Sequence, residues 1–243
     1  GYYGNNTCNS RNLLACAVDA GVPHFIFSST AAVYGEPVHT PIGEDALLQP
    51  ISPYGSSKLM TETMLADTAQ AHPLRYVALR YFNVAGADPE GRTGQSTPRA
   101  THLIKVASEA AVGSRPGLDV FGTDYQTPDG TCVRDYIHVT DLVRAHLDAL
   151  RYLRGGGEST VLNCGYGRGF SVFEVVEAVQ RVSGVDFSVR TVDRRPGDPP
   201  DLVAGAGRIR EVLGWKPQLN DLDTIVGHAL AWERHPNSGR GTA

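Results

Sequence analysis

Leu13, Leu14, Ala17 and Val18 recur at helical spacing, and Gly21 interrupts them before the unbroken apolar run Phe25-Ile26-Phe27. This pattern predicts a helix capped within 5–7, followed by a buried strand over 24–28. Pro37, Pro41, Gly43 and Pro50 mark residues 35–52 as a loop. Ser52 is a cap and Pro53 fits the first turn of a helix expected to end near His72-Pro73, and Arg75 to Phe82 reads as the next strand. Helix and strand thus alternate, which is the mark of a parallel sheet with helices on its faces.

Beyond Gly86 the pattern changes to polar loops between helices, expected over 99–113 and over 140–154 with Thr140 as cap. Gly155-Gly156-Gly157 reads as a flexible joint and Val161-Leu162-Asn163 as a short strand. Ser171-Val172-Phe173-Glu174 is a capping box opening a helix that Gly184 closes. A strand over 187–192, a loop of charges and turn residues over 193–200, and helices over 208–213 and 222–234 follow. The tail after Pro236 is expected to fray.

The chain has 243 residues, 41% apolar and 20% charged, enough for one large or two small domains. A net charge of −4 without a basic run argues against a nucleic-acid partner, and no apolar run reaches the ~20 residues of a membrane span. The four cysteines lack C-x-x-C spacing and no two histidines have ligand spacing, so reduced cytoplasmic thiols and no metal are expected, with His138 and most other histidines structural. The chain opens on Gly1-Tyr2-Tyr3 rather than Met and enters a helical pattern at once, which reads as a missing natural N-terminus.

Candidate chemistry centres on Ser52-Pro53-Tyr54-Gly55-Ser56-Ser57-Lys58, where Tyr54 and Lys58 share one helix face. A tyrosine titrates near pH 10, but a cation about 4 Å away is worth roughly 4 kcal/mol at an effective dielectric of 20, about three pK units before desolvation opposes it. With ten tyrosines in the chain the spacing alone is weak, and its context strengthens it. Ser28-Ser29-Thr30 closes one expected strand and Arg80-Tyr81-Phe82-Asn83 the next, and open α/β sheets bind ligands beyond the carboxyl ends of their strands.

Strand-end hydroxyls, a Tyr-x-x-x-Lys helix and a strand-end Asn, in that order, resemble the extended short-chain dehydrogenase/reductase superfamily. Within it, Phe25-Ile26-Phe27-Ser28-Ser29-Thr30-Ala31-Ala32-Val33-Tyr34-Gly35 and Val133-Arg134-Asp135-Tyr136-Ile137-His138-Val139 resemble the UDP-glucose 4-epimerase family, nearly from end to end. The resemblance implies an α/β fold: the C-terminal part of a Rossmann-type doubly wound parallel sheet with a small substrate-binding lobe. Residues 1–83, with segments near 136–164, would be the remainder of an NAD-binding domain, and 84–135 with 165–235 the lobe and final helices. The implied activity is reversible interconversion of UDP-glucose and UDP-galactose by transient oxidation at C4 with NAD.

By that resemblance Tyr54 is the base, Lys58 holds the nicotinamide ribose and lowers the Tyr54 pKa, and Thr30 bridges the sugar 4-hydroxyl, with Asn5 and Phe82 completing the nicotinamide side. Asn83 would reach the diphosphate or hexose, Arg134 and Arg195 the diphosphate, Asp198 the uridine ribose, and Val120-Phe121 the uracil. His102 stands where bacterial relatives often carry Asn. Leu202 occupies a position that is a bulky Tyr in some members and small in others, which leaves acceptance of N-acetylated sugars open. Relatives pair as homodimers through helices, and Met60, Met64 and Leu65 make the 53–71 helix a candidate face.

The chain departs from the family in lacking a Gly-rich dinucleotide turn, because Gly165-Tyr166-Gly167-Arg168-Gly169 and Gly205-Ala206-Gly207 read as ordinary turns. The family pattern would place that fingerprint ahead of residue 1, so these residues alone are expected to be poorly soluble, to hold no NAD and to show no epimerase activity. The carboxylate pair of a 4,6-dehydratase is replaced after Thr30 by Ala31-Ala32. Another NAD-dependent sugar-nucleotide epimerase, dehydratase or decarboxylase of the superfamily, or a non-catalytic fragment, stays open.

Overall fold

The structure is a computed structural model and describes residues 1–235; the expected fraying after Pro236 lies outside them. In chain order the elements are α1 (Asn9–Asp19), β1 (His24–Thr30), α2 (Pro53–Ala71), β2 (Arg75–Tyr81), β3 (Asn83–Ala85), α3 (Leu103–Ala111), β4 (Gly117–Phe121) and β5 (Val133–His138). They continue with α4 (Val139–Arg154), β6 (Thr160–Cys164), β7 (Gly169–Ser171), α5 (Val172–Ser183), β8 (Ser188–Val192), α6 (Gly207–Leu213) and α7 (Leu222–Arg234). The chain divides into two units, one of Gly1–Phe82, Val143–Gly167 and Leu202–Lys216, the other of Asn83–Leu142, Arg168–Asp201 and the chain from Pro217. Relative to the expected boundaries, residues 136–142 fall in the second unit and 202–216 in the first.

The first unit holds a parallel sheet in the order β1-β2-β6, with Phe27 opposite Ala78 and Ala78 opposite Val161. Alternation along the strands gives each face its own packing. Phe27, Tyr76 and Ala78 join Leu14 and Ala17 of α1 and Leu65 of α2 in one core. Val77 and Leu79 are fully buried. Arg80 shares the parity of Tyr76 and Ala78, so a charged side chain points toward α2 from one residue before the end of a mostly apolar strand.

In the second unit β5 pairs in parallel with β3 and antiparallel with β7, β4 pairs in parallel with β8, and α3, α5 and α7 pack together. The capping box is present: Ser171 Oγ accepts from Glu174 N–H at 3.1 Å while Glu174 Oε2 accepts from Ser171 N–H at 2.7 Å. Gly184 ends this helix at φ 71°, a left-handed conformation that favours glycine.

Several element ends differ from expectation. The helix expected from Arg99 begins at Leu103, because Arg99 takes φ 55° and His102 is extended. Thr140 does not cap α4; its N–H donates to His138 Nδ1 at 3.0 Å, so an imidazole does this work. Asn5 to Thr7 do not cap α1 either, since a π-helical turn over Tyr3–Cys8 runs directly into it. Gly155-Gly156-Gly157 is no loose joint, as its amides donate to the Arg151, Leu153 and Tyr152 carbonyls at 2.9 to 3.0 Å. Leu65 is fully buried core, which leaves Met60 as the exposed apolar residue of α2.

Ser171→Ala removes the α5 cap and the Ser171–Asp129 hydrogen bond, and is expected to cost about 1–2 kcal/mol in urea unfolding. An unchanged midpoint would show that the box contributes nothing here.

Candidate active site

In the first unit the carboxyl end of β1 meets the start of α2. Ser52 Oγ accepts from Gly55 N–H at 3.1 Å, and Pro53 at the first turn needs no N–H partner, so the helix opens as its sequence directs. Gly55 permits the close approach, because a Cβ there would stand 2.4 Å from the Ala32 carbonyl oxygen. The Thr30 hydroxyl lies beside the Tyr54 phenol, close enough to favour its ionised form, and accepts from Ala32 N–H at 3.1 Å. Lys58 Nζ donates to the Ser28 carbonyl at 2.9 Å, and Ser28 Oγ is 3.0 Å from His146 Nε2.

The electrostatics here run opposite to the expectation for Lys58. Burial raises the Tyr54 phenol above its ordinary 10.0, only partly offset by the Thr30 hydroxyl, and burial lowers the Lys58 ammonium below 10.5. Lys58 Nζ stands 5.9 Å from the Tyr54 ring centroid and directs a donor at the strand carbonyl rather than at the phenol oxygen. Tyr2 packs over Tyr54 with ring centroids 5.6 Å apart. Phe82 is buried, whereas Asn5 is exposed on the π-helical turn and its neighbour Asn6 donates to Ser57 Oγ at 2.9 Å.

The second unit contains a cavity of about 710 Å³ lined by Asn83, His102, Phe121, Arg134, Arg195 and Asp198, among others. That volume lies within the usual range of small-molecule sites, about 300–1,000 Å³. Every substrate-binding residue expected in this unit lines it except Val120, which is 1% exposed and turned into the core beside Phe121. Arg134 Nη2 donates to Asp198 Oδ1 and Nη1 to the Val133 carbonyl, each at 2.8 Å, and the remaining N–H groups of the guanidinium suit phosphate oxygens. Arg195 lies over the Phe121 ring, 3.6 Å from its centroid, so one face of the expected uracil platform carries a guanidinium. Arg194 stacks 4.1 Å from the Tyr125 centroid and donates to Asp124 Oδ1 at 2.6 Å, which pins the loop over 193–200. The Gln95 amide nitrogen contacts His102 Nδ1 at 2.7 Å, making Nδ1 the acceptor and Nε2 the N–H. Leu202 is half-buried in the first unit.

Glu62, Arg80, Gln95 and Arg194 were not apparent as site residues. Two of them left a signal: Glu62 continues the Tyr54, Lys58 spacing by another turn, and Arg80 is a charge inside an apolar strand. Gln95 and Arg194 lie in irregular segments whose partners only the fold supplies.

A family model described as the NAD dependent epimerase/dehydratase family matches residues 1–165. The chain is 62% identical over 242 residues to the UDP-glucose 4-epimerase of Azospirillum brasilense, spanning 100% of this chain and 70% of that protein. The fold is similar to the crystal structure of UDP-glucose 4-epimerase from Brucella ovis in complex with NAD, at TM-score 0.91 and 47% identity, covering 94% of this chain and 70% of that one. The UDP-glucose 4-epimerase from Bifidobacterium longum in complex with NAD+ and UDP superposes at TM-score 0.91 and 38% identity, covering 98% and 71%.

The burial of the tyrosine and lysine gives a direct check. In cofactor-free protein, Tyr54 is expected to titrate above 10.0 and Lys58 below 10.5, followed by NMR of ring- and ε-labelled residues. A Tyr54 midpoint below the ordinary tyrosine value would overturn the account of desolvation as the dominant influence.

Proposed function

The chain belongs to the NAD dependent epimerase/dehydratase family, and from that membership we propose that it interconverts UDP-glucose and UDP-galactose by reversible inversion at C4. The observation that carries the reading is the placement of the Tyr54 phenol beside the Thr30 hydroxyl at the strand end, with Lys58 one turn along the same helix face and bonded to the Ser28 carbonyl. Thr30 orients the sugar 4-hydroxyl, and Tyr54 takes its proton and later returns it. A phenol raised by burial holds its proton at neutral pH, so Tyr54 needs added positive charge beside it to serve as base, and Lys58 on the same face is one source.

NAD, when bound, supplies the hydride acceptor and donor for C4. The nicotinamide side fits these residues by its donors: an ammonium has three N–H groups, of which Lys58 directs one at Ser28, and the others suit a ribose diol beside the Tyr54 hydroxyl. No Gly-rich turn for the pyrophosphate occurs among the 243 residues. On the substrate side Arg134 and Arg195 take the diphosphate, Asp198 the uridine ribose, Phe121 the uracil, and His102 Nε2–H with Asn83 the phosphate or hexose oxygens.

A second copy of the chain is the proposed partner. Arg11, Leu14, Val18, Met64 and Thr68 line a groove between α1 and α2, and Leu13 and Met60 are 58% and 46% exposed nearby. The described helices include none long and apolar enough to cross a membrane, and four free thiols suit the reducing cytoplasm.

In protein supplied with a Gly-rich dinucleotide-binding half, Tyr54→Phe is expected to abolish epimerisation while UDP-sugar affinity stays within about tenfold, or about 1.4 kcal/mol. Retained turnover would remove Tyr54 from the chemistry. Arg134→Ala and Arg195→Ala should each weaken UDP and UDP-glucose alike by calorimetry, and a loss confined to hexose discrimination would count against diphosphate contacts. Light scattering that found only monomer at micromolar concentration would rule out the proposed pairing.

A further inference from the structure

A buried polar network lies behind the strand-end hydroxyls and takes no direct part in the proton transfer. Glu62 stands one turn beyond Lys58 on α2, so Tyr54, Lys58 and Glu62 share a face. Each of them meets a different residue at the end of β1: Tyr54 meets Thr30, Lys58 the Ser28 carbonyl, and Glu62 accepts a hydrogen bond from Ser29 Oγ. Arg80 of β2 clamps the same carboxylate, with Nε 3.0 Å from Oε1 and Nη2 2.6 Å from Oε2, and the two side chains are 5% and 6% exposed.

The clamp is itself held. Arg80 Nη1 donates to the Tyr34 hydroxyl at 3.0 Å and to the Glu44 carbonyl at 3.2 Å. Tyr34 in turn donates to Asn163 Oδ1 at 2.7 Å. Asn163 Nδ2 donates to the Ile42 carbonyl at 2.8 Å, and its N–H donates to Glu44 Oε1 at 2.8 Å. One network therefore ties α2 to β1, β2, β6 and the segment leading toward Ser52.

The apolar grip on α2 is uneven. Its contributors to the core are Met64, Leu65, Ala66 and Ala69, all in the second half of the helix. The buried residues nearer Tyr54 are Gly55, Ser57, Thr61 and Glu62. Apolar contact is non-directional and leaves a helix able to roll, whereas a two-pronged carboxylate–guanidinium pair has one geometry. A buried ion pair is also a poor source of net stability compared with apolar residues of similar volume, which directs attention to what its geometry does.

We infer that Glu62 and Arg80 are positioning residues, which fix the roll of α2 on β1 so that the Tyr54 phenol meets Thr30, with Tyr34 and Asn163 holding the clamp in place. The inference rests on the reading of Tyr54 as the acid/base. The test is the double variant Glu62→Met/Arg80→Met, which replaces the pair by apolar side chains without leaving either charge alone.

The expected result is a folded protein with a parent-like thermal midpoint and UDP affinity within about twofold, in which the Tyr54 NMR titration shifts away from the parent's. In NAD-loaded protein, kcat falls about 100-fold, as for a small misplacement of a reacting group, with KM little changed. A folded double variant with parent-like Tyr54 titration and kcat would overturn the inference. Should the double variant not fold, Ser29→Ala removes the Glu62–strand contact and leaves the ion pair; it is expected to shift Tyr54 in the same direction by less, and a parent-like titration there would overturn it equally. An inactive parent in which the variants still shift Tyr54 would instead refute the epimerase reading and leave the positioning role standing.

Discussion

The end of β1 carries three hydroxyl residues into the sheet beside Leu79, Arg80 and Tyr81, and buried polar groups must find partners there. Ser28 reaches His146 and gives its carbonyl to Lys58, Ser29 reaches Glu62, and Thr30 reaches Tyr54. Three of these partners come from one face of α2. Satisfying the strand end and assembling the candidate acid/base group are therefore the same structural event. Removing either charge of the Glu62–Arg80 pair alone would leave its partner buried and unpaired, a defect that usually costs about 3–5 kcal/mol.

The second unit solves a different problem, that of keeping several guanidinium groups beside a cavity before any anion arrives. Arg134 is held by Asp198, Arg190 by Asp119, and Arg195 by the Phe121 ring. The ring contact is exchangeable, since a cation over an aromatic face contributes on the order of 1 kcal/mol at exposed sites. In the proposed reading, an arriving nucleotide takes Arg195 for phosphate and frees Phe121 for a base. With Nδ1 engaged by Gln95, His102 presents its Nε2 N–H, which matches the donor an Asn would offer at that place.

Much of this was legible in the residues. The alternation of helix and strand, the Ser52 and Ser171 caps and the two strands starting at His24 and Arg75, which end at Thr30 and Tyr81 rather than at the expected 28 and 82, follow from local spacing and capping chemistry, which are properties of short stretches. What escaped the sequence depended on distant partners. Thr140 is served by His138, Val120 faces inward while Phe121 faces the cavity, and Lys58 turns to a strand carbonyl rather than toward the phenol. The Arg80 network spans more than a hundred positions from Tyr34 to Asn163, so only its odd placement in an apolar strand announced it. α3 starts at Leu103, later than its residue pattern suggests, because Arg99 adopts a left-handed backbone that no residue-type preference would suggest.

This strand end and helix face are proposed to support reversible oxidation at a sugar carbinol, with the proton handled by Tyr54 and the C4 hydrogen kept apart from water. The test is UDP-glucose carrying deuterium at C4, incubated in ordinary water with protein supplied with a Gly-rich dinucleotide-binding half and loaded with NAD, and followed by NMR. The account predicts UDP-galactose that retains deuterium at C4, with the same mixture reached from UDP-galactose. Loss of the label to solvent, or a product lacking the hexose 6-oxygen, would contradict it.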